Sequence, residues 1–201
     1  MALQQLEIYF DCSSPWTYLG FERAIALFAA TEVTIVWKPI LVGGLFNTIN
    51  PSVYHSRENP VQQKVAYAAK DLQDWARVTG LKIGLPPMHP VNSVRAMRGA
   101  FVALEQDKLI PYAREVFKQY WTHLRDISDL SVLESIVDSV GLNREEYFEK
   151  IEQPAYKSRL RDSTQELADR GGFGSPTMYL NGDDMYFGND RMELILAKLR
   201  T

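Results

Sequence analysis

In the run YFDCSSPWTYLGFE, residues 9–22, one thiol and two hydroxyls stand side by side just ahead of a proline. Cys12, Ser13 and Ser14 are the candidates there for nucleophilic or thiolate-stabilising chemistry, and their settings differ. Ser14 precedes Pro15, the arrangement of a helix N-cap with proline at the first helical position. Capping alone accounts for a serine at this place. A hydroxyl there also lies beside unpaired N–H groups and the positive end of the helix dipole. A thiolate brought to that spot gains stabilisation, which matters because an unperturbed thiol, with a pKa of about 8.5, is mostly protonated at neutral pH. The reactive sulfur need not belong to the chain. Cys12, the single cysteine, alternates with Ile8 and Phe10 and reads as a small buried apolar residue at a strand end. A cysteine–histidine enzyme also needs a positioned base, and His55, His89 and His123 are each isolated in sequence. No pair of them has metal-ligand spacing on a helix, so no metal site is expected.

Two further stretches carry possible chemistry. In GGFGSPTMYLNG, residues 171–182, Pro176 opens a strand. A trans proline at a strand start is ordinary; a cis Ser175–Pro176 bond would instead offer the Ser175 backbone to an extended peptide as an added strand does. The sequence leaves both open. In FGNDRMEL, residues 187–194, Asp190 and Glu193 have the spacing of a capping box. The functional alternative places an α-carboxylate on the free N–H groups and an ammonium against Asp190, which describes an amino acid or a γ-glutamyl unit.

These stretches need elements to hold them. LEIYFD (6–11) and VTIVWK (33–38) are strand-like, and SPWTYLGFERAIALFAA between them has helical apolar spacing. From about residue 59 to 171 the pattern is helical, after a segment over 43–60 that reads as a loop. The tail is a hairpin centred on Asn181-Gly182, then a helix from Asn189 to Leu199. The element order, β-α-β, a block of helices, then α-β-β-α, is that of a thioredoxin fold interrupted by helices. The expected class is α/β, a thioredoxin-like domain over residues 1–45 and 160–201 with an all-helical domain over 46–159 inserted.

Composition narrows the function. The 201 residues are 46% hydrophobic and 23% charged with a net charge of −3, and no basic block of five residues occurs. A nucleic-acid partner and a membrane protein are both disfavoured, and small molecules or proteins are the expected partners. The stretch MALQQLEIYF lacks the features of a secretory leader, and a lone cysteine suits a reducing compartment, so a cytoplasmic location is expected.

Taken together, SPWTYLGFE, FGSPT and FGNDRMEL resemble segments of the kappa-class glutathione transferases and the bacterial 2-hydroxychromene-2-carboxylate isomerases, in the DsbA-like branch of the thioredoxin superfamily. The resemblance spans nearly the whole chain. It implies a DsbA-like fold, glutathione as cofactor and a homodimer. By this resemblance Ser14 stands at the first cysteine of the branch's Cys-x-x-Cys and would hydrogen-bond the glutathione sulfur, while Thr17 stands at the second. Ser175 and Pro176 would hold the cysteinyl part, Asn189 and Asp190 the γ-glutamyl end, and Lys64 and Asn50 the glycyl end. The implied reaction is cis–trans isomerisation of 2-hydroxychromene-2-carboxylate or a similar intermediate of aromatic catabolism, by thiolate addition, bond rotation and elimination. The small-molecule aromatic substrate would lie against Trp16, Tyr18, Phe46 and Trp121, with Lys38 or Arg95 meeting its carboxylate. Core packing for the aromatics and a surface ion pair for Arg95 are the competing readings. Two other functions fit the same sequence: glutathione conjugation to electrophiles, and a redox-inactive, DsbA-like peptide-binding module.

Overall fold

Strand β1 (Gln5–Phe10) lies at the centre of the structure, a computed structural model that describes residues 4–200. Residues 1–3 and 201 lie outside the described residues, and with them the first part of the stretch read above for a leader. Helix α1 (Pro15–Phe28) leads to β2 (Thr34–Pro39), which pairs with β1 in parallel, Tyr9 opposite Lys38. The return to the sheet comes late. Strand β3, Thr177–Leu180, runs antiparallel along the other side of β1, and β4, Asp184–Phe187, pairs antiparallel with β3, giving the order β2-β1-β3-β4. Asn181 and Gly182 close that hairpin with φ of 51° and 102°, the left-handed backbone that this residue pair tolerates.

Between β2 and β3 the chain is helical. It forms α2 (Val42–Thr48), α3 (Ser52–Glu58), α4 (Gln62–Thr79), α5 (Val94–Glu105), α6 (Leu109–Phe117), α7 (Leu130–Ser139), α8 (Arg144–Glu152) and α9 (Pro154–Asp169). The chain closes with α10 (Met192–Leu199). The fold is thus the expected α/β, DsbA-like thioredoxin arrangement with helices inserted between strands. One expectation fails: residues 43–60 are two short helices rather than a loop. VGGLFNT has two glycines, and its N-cap residue Leu41 has no side chain that can cap, so local propensity does not mark α2. Tertiary packing of Leu45, which is fully buried, holds it.

The pleat of β1 divides the core. Leu6 and Ile8 join Met178 and Leu180 beneath Ala24 and Phe28 of α1 and Met192 and Ile195 of α10. On the opposite face Tyr9 and Tyr179 meet Ile40, Leu45 and Leu167. Phe10 and Cys12 continue into a larger cluster that reaches through the helices to Trp121, Tyr112 and Tyr147.

The α9 face of the sheet also carries charge. Glu166 accepts from the Tyr9 hydroxyl at 2.7 Å and from Lys38 at 3.2 Å. Arg170 lies 2.8 Å from Glu7, donates to the Tyr9 hydroxyl at 2.6 Å and stacks 3.8 Å from the Tyr179 ring. Burial, then the hydrogen bond to Glu166, raises the Tyr9 pKa. For Glu166 burial acts upward, but the bonds from Tyr9 and Lys38 outweigh it and the carboxyl is held below its ordinary value.

Candidate active site

At the carboxyl end of β1 the chain turns into α1 around a fully buried carboxylate. Asp11 Oδ1 accepts from the Ser13 N–H at 2.9 Å, and Oδ2 accepts from the Val42 N–H at 2.8 Å and the Ser93 hydroxyl at 3.2 Å. Three segments far apart in sequence are tied to one side chain: the β1–α1 turn, the start of α2 and the start of α5. Burial pushes the Asp11 pKa up, and the hydrogen bonds from Ser13, Val42 and Ser93 only partly offset it.

Ser14 is the N-cap of α1, with Pro15 following at the first position. Its oxygen accepts from the Thr17 N–H at 3.2 Å, and its hydroxyl donates to the Ser175 carbonyl at 3.4 Å, a long bond that a better acceptor can replace. Thr17 and Ser175 hydroxyls lie 2.8 Å apart, and the Asp11 N–H donates to Ser175 Oγ at 3.2 Å. So the Ser175 side chain is buried as scaffold. The Ser175–Pro176 bond is cis, the isomer that the functional reading of this stretch requires. Gly20 lets the loop approach α1, since a Cβ there would stand 2.9 Å from Pro176 Cγ.

Cys12 takes no part. It is 1% exposed, its N–H lies 3.3 Å from Met97 Sδ, and burial, then the Asp11 charge, drives its thiol pKa well above the usual value. A thiol held protonated inside the core is inert.

Beyond Pro176, whose carbonyl accepts from the Gly188 N–H at 3.0 Å, lies the turn Asn189–Arg191. Here the capping-box expectation is corrected. Asp190 sits inside this short 3₁₀ turn, exposed and 2.6 Å from Arg191, and caps nothing. Glu193 pairs with Arg23 instead, and no side chain caps α10. Asn189 is buried; its carbonyl accepts from Arg23 Nε at 3.2 Å, but its Oδ1 has no partner among the described residues. An unpaired amide oxygen is an acceptor with capacity to spare.

Ser14 and Ser175 open onto a cleft of about 670 Å³, walled by the α2–α3 segment on one side and by Phe173 and Phe187, with rings 4.6 Å apart, on another. Trp16, Asn50 and Phe46 line it, as expected. Asn50 Nδ2 donates to the Phe173 carbonyl at 3.3 Å, which joins two walls. Asn189 and Asp190 follow beyond Pro176, outside this lining.

Five expected residues are elsewhere. Lys38 belongs to the charged group on the α9 face of the sheet, and Arg95 is a surface residue of α5, 2.9 Å from Glu152. Neither lines the cleft. Lys64 is exposed near the start of α4 and does not line the cleft. Trp121 is a core residue, 1% exposed, donating to the Cys12 carbonyl at 2.9 Å, and Tyr18 is buried on Phe117.

Sequence reasoning missed Arg57 and passed over His89 as an isolated histidine; both lie on the cleft wall. Arg57 lies 5.7 Å from the Phe46 ring. His89 Nδ1 is 3.0 Å from the Tyr120 hydroxyl, and burial, then the Arg57 charge, lowers its pKa. Arg57 sits in the segment read as a loop, and His89 precedes Pro90 in a cluster read as a helix break. No local signal marked either. Among the described residues no cluster of His, Cys, Asp and Glu can hold a metal, and no helix is long and apolar enough to cross a membrane.

Comparison with known proteins gives a consistent picture. The DSBA-like thioredoxin domain matches residues 5–200. The chain is 28% identical over 195 residues to a 2-hydroxychromene-2-carboxylate isomerase of Pseudomonas putida, covering 94% of this chain and 91% of the relative. It is 27% identical over 203 residues to human glutathione S-transferase kappa 1, covering 94% and 88%. A solved 2-hydroxychromene-2-carboxylate isomerase superposes with a TM-score of 0.83 at 26% identity, covering 98% of this chain and 94% of that one.

Proposed function

This chain belongs to the DSBA-like thioredoxin domain family, and on that premise we propose that it is a glutathione-dependent isomerase acting on 2-hydroxychromene-2-carboxylate or a similar aromatic acid. The observation that carries the reading is Ser14: a hydroxyl, not a thiol, caps α1 at the mouth of the cleft, and the chain's one thiol is sealed in the core. Dithiol exchange has no second sulfur here. The residues present fit glutathione, because the exposed Asp190 carboxylate, which now meets Arg191, is an acceptor for an ammonium.

Bound glutathione would supply a thiolate able to add reversibly to a conjugated substrate and relieve double-bond character while a bond rotates. Ser14 would donate its hydroxyl to the sulfur, exchanging its long bond to the Ser175 carbonyl for a charge-assisted one. The α1 N-terminus adds favourable potential. Trp16, Phe46 and Phe173 give a planar substrate an apolar wall, and Arg57, rather than Lys38 or Arg95, is the cation placed to meet its carboxylate. Asn50 would serve the glycyl end of glutathione. The reading carries with it a cytoplasmic setting and a homodimer, which light scattering on the purified protein tests.

Calorimetric titration of glutathione into the wild type and Asp190→Ala tests the core of the reading. Weakening by at least about tenfold in the variant, 1.4 kcal/mol, is expected; absence of binding to the wild type would overturn it. The kappa transferase likeness supports a second reaction, conjugation, at the same site. Turnover of the chromene carboxylate against that of chlorodinitrobenzene separates the two.

A further inference from the structure

We propose that the half-open cavity between α2, α5 and α9 is a second ligand site, for a small carboxylic acid with an apolar body. It measures about 310 Å³ and lies on the opposite side of α2 from the Ser14 cleft. Leu41, Leu45 and Leu160 supply apolar walls. Every charged residue on its lining is a cation: Arg98, Lys157 and Arg161. Their acidic neighbours stand outside the lining, Glu152 at 3.3 Å from Lys157 and 3.8 Å from Arg98, and Asp162 at 2.8 Å from Arg161.

Arg98 brings to this lining a guanidinium with donor capacity to spare. Its Nη1 donates to the Ile151 carbonyl at 3.3 Å, while its Nε is buried and has no acceptor among the described residues. A donor shut away from water is left at a cost that an incoming carboxylate oxygen removes. The guanidinium plane matches a carboxylate in two bonds, and Lys157 and Arg161 add long-range attraction at the rim. The leucine walls exclude a fully hydrated anion such as phosphate and call for an apolar body, and the volume limits its size.

Occupancy would also be felt across α2. Leu41 and Gly44 line both spaces, whereas Val42 and Phe46 face only the cleft and Leu45 and Thr48 only the cavity. An acid packed on Leu45 bears on the helix that forms a wall of the cleft, which is a physical route for coupling the two sites.

The test uses 2-naphthoate and octanoate as probes, titrated by calorimetry into the full chain, the double variant Lys157→Glu/Arg161→Glu and Leu160→Trp. At least one acid is expected to bind the wild type. Charge reversal at the two half-exposed or exposed positions should weaken that binding at least tenfold, and Leu160→Trp, which fills the cavity, should abolish it. Where charge reversal weakens it, binding of naphthoate alone gives an aromatic body and of octanoate alone an aliphatic one, and either supports the site. Failure of both acids to bind the wild type, or binding unchanged by charge reversal, overturns the proposal. None of these residues lines the Ser14 cleft, so glutathione binding reports separately on the function proposed above. If Leu160→Trp does not fold, the charge-reversed variant decides.

Discussion

Two polar regions flank β1, one on the α9 face of the sheet and one at its carboxyl end, and they use their hydrogen-bonding groups differently. In the first, Glu7, Tyr9, Lys38, Glu166 and Arg170 satisfy one another at 2.6–3.6 Å. In the second, Asp11 and Thr17 are satisfied underneath, yet the Ser14 hydroxyl holds only a 3.4 Å acceptor and Asn189 Oδ1 has no donor among the described residues. The comparison separates a closed network, which stabilises the fold, from one with bonding capacity to spare, where the proposed chemistry would lie. Abundance of charge is a poor guide to the active surface; unfilled bonding capacity facing a concavity is a better one.

Substitutions sharpen that contrast. Ser14→Ala should lower turnover by roughly 100-fold, the effect of removing a donor aimed at developing charge. Its thermal stability should fall by only about 1 kcal/mol, from the lost cap. Loss of both in proportion would place Ser14 with the closed network.

Asp11→Asn should cost about 2 to 3 kcal/mol near neutral pH, because an amide cannot accept from all three donors. This change has a pH signature. The folded-state pKa of Asp11 is raised, so the native protein binds its proton more tightly than the unfolded chain. The associated stability is present in acid, below the unfolded value, and is lost as pH rises through the folded one. The gap between wild type and Asp11→Asn should therefore narrow as pH rises, as denaturant midpoints at a series of pH values would reveal. A gap that widens would mean that the carboxylate is favoured by its site.

On the closed side, Arg170→Met should cost about 2 kcal/mol, between the values for buried and exposed pairs, and leave glutathione affinity unchanged. Lys38→Met should cost less than about 1 kcal/mol in urea unfolding, since Glu166 keeps its Tyr9 bond and Glu7 keeps Arg170. A large loss of catalysis in either variant would break the distinction drawn between the two regions.

Most of the fold could be read from the chain because its elements announce themselves locally. IYF alternates, Ser14-Pro15 caps, and Asn181-Gly182 turns. Ser14 and Ser175 were legible for the same reason. What failed depends on contacts over long separations: α2 is held by burial of Leu45, and Glu193 forsakes the capping position for Arg23, 170 residues earlier. Lys38 and Arg95 were legible as cations but not as paired ones, because Glu166 and Glu152 lie 128 and 57 residues away along the chain. Arg57 and His89 reach the cleft only through the packing of the inserted helices.

The central place of β1 has a consequence for how the molecule is made. Its neighbour β3, and the Ser175 carbonyl that meets Ser14, lie on the far side of the helical insertion, 161 residues downstream in the case of that bond. At the usual 5–20 residues per second, a ribosome spends roughly 8 to 30 s between synthesising the two halves of the site. During that interval the helices can pack against one another while one edge of β1 stays without its strand, an exposed template for wrong pairing. Nascent chains of this protein should therefore bind holdase chaperones until translation passes β4, and ribosome-arrested chains of increasing length would show that association end abruptly rather than decline by degrees.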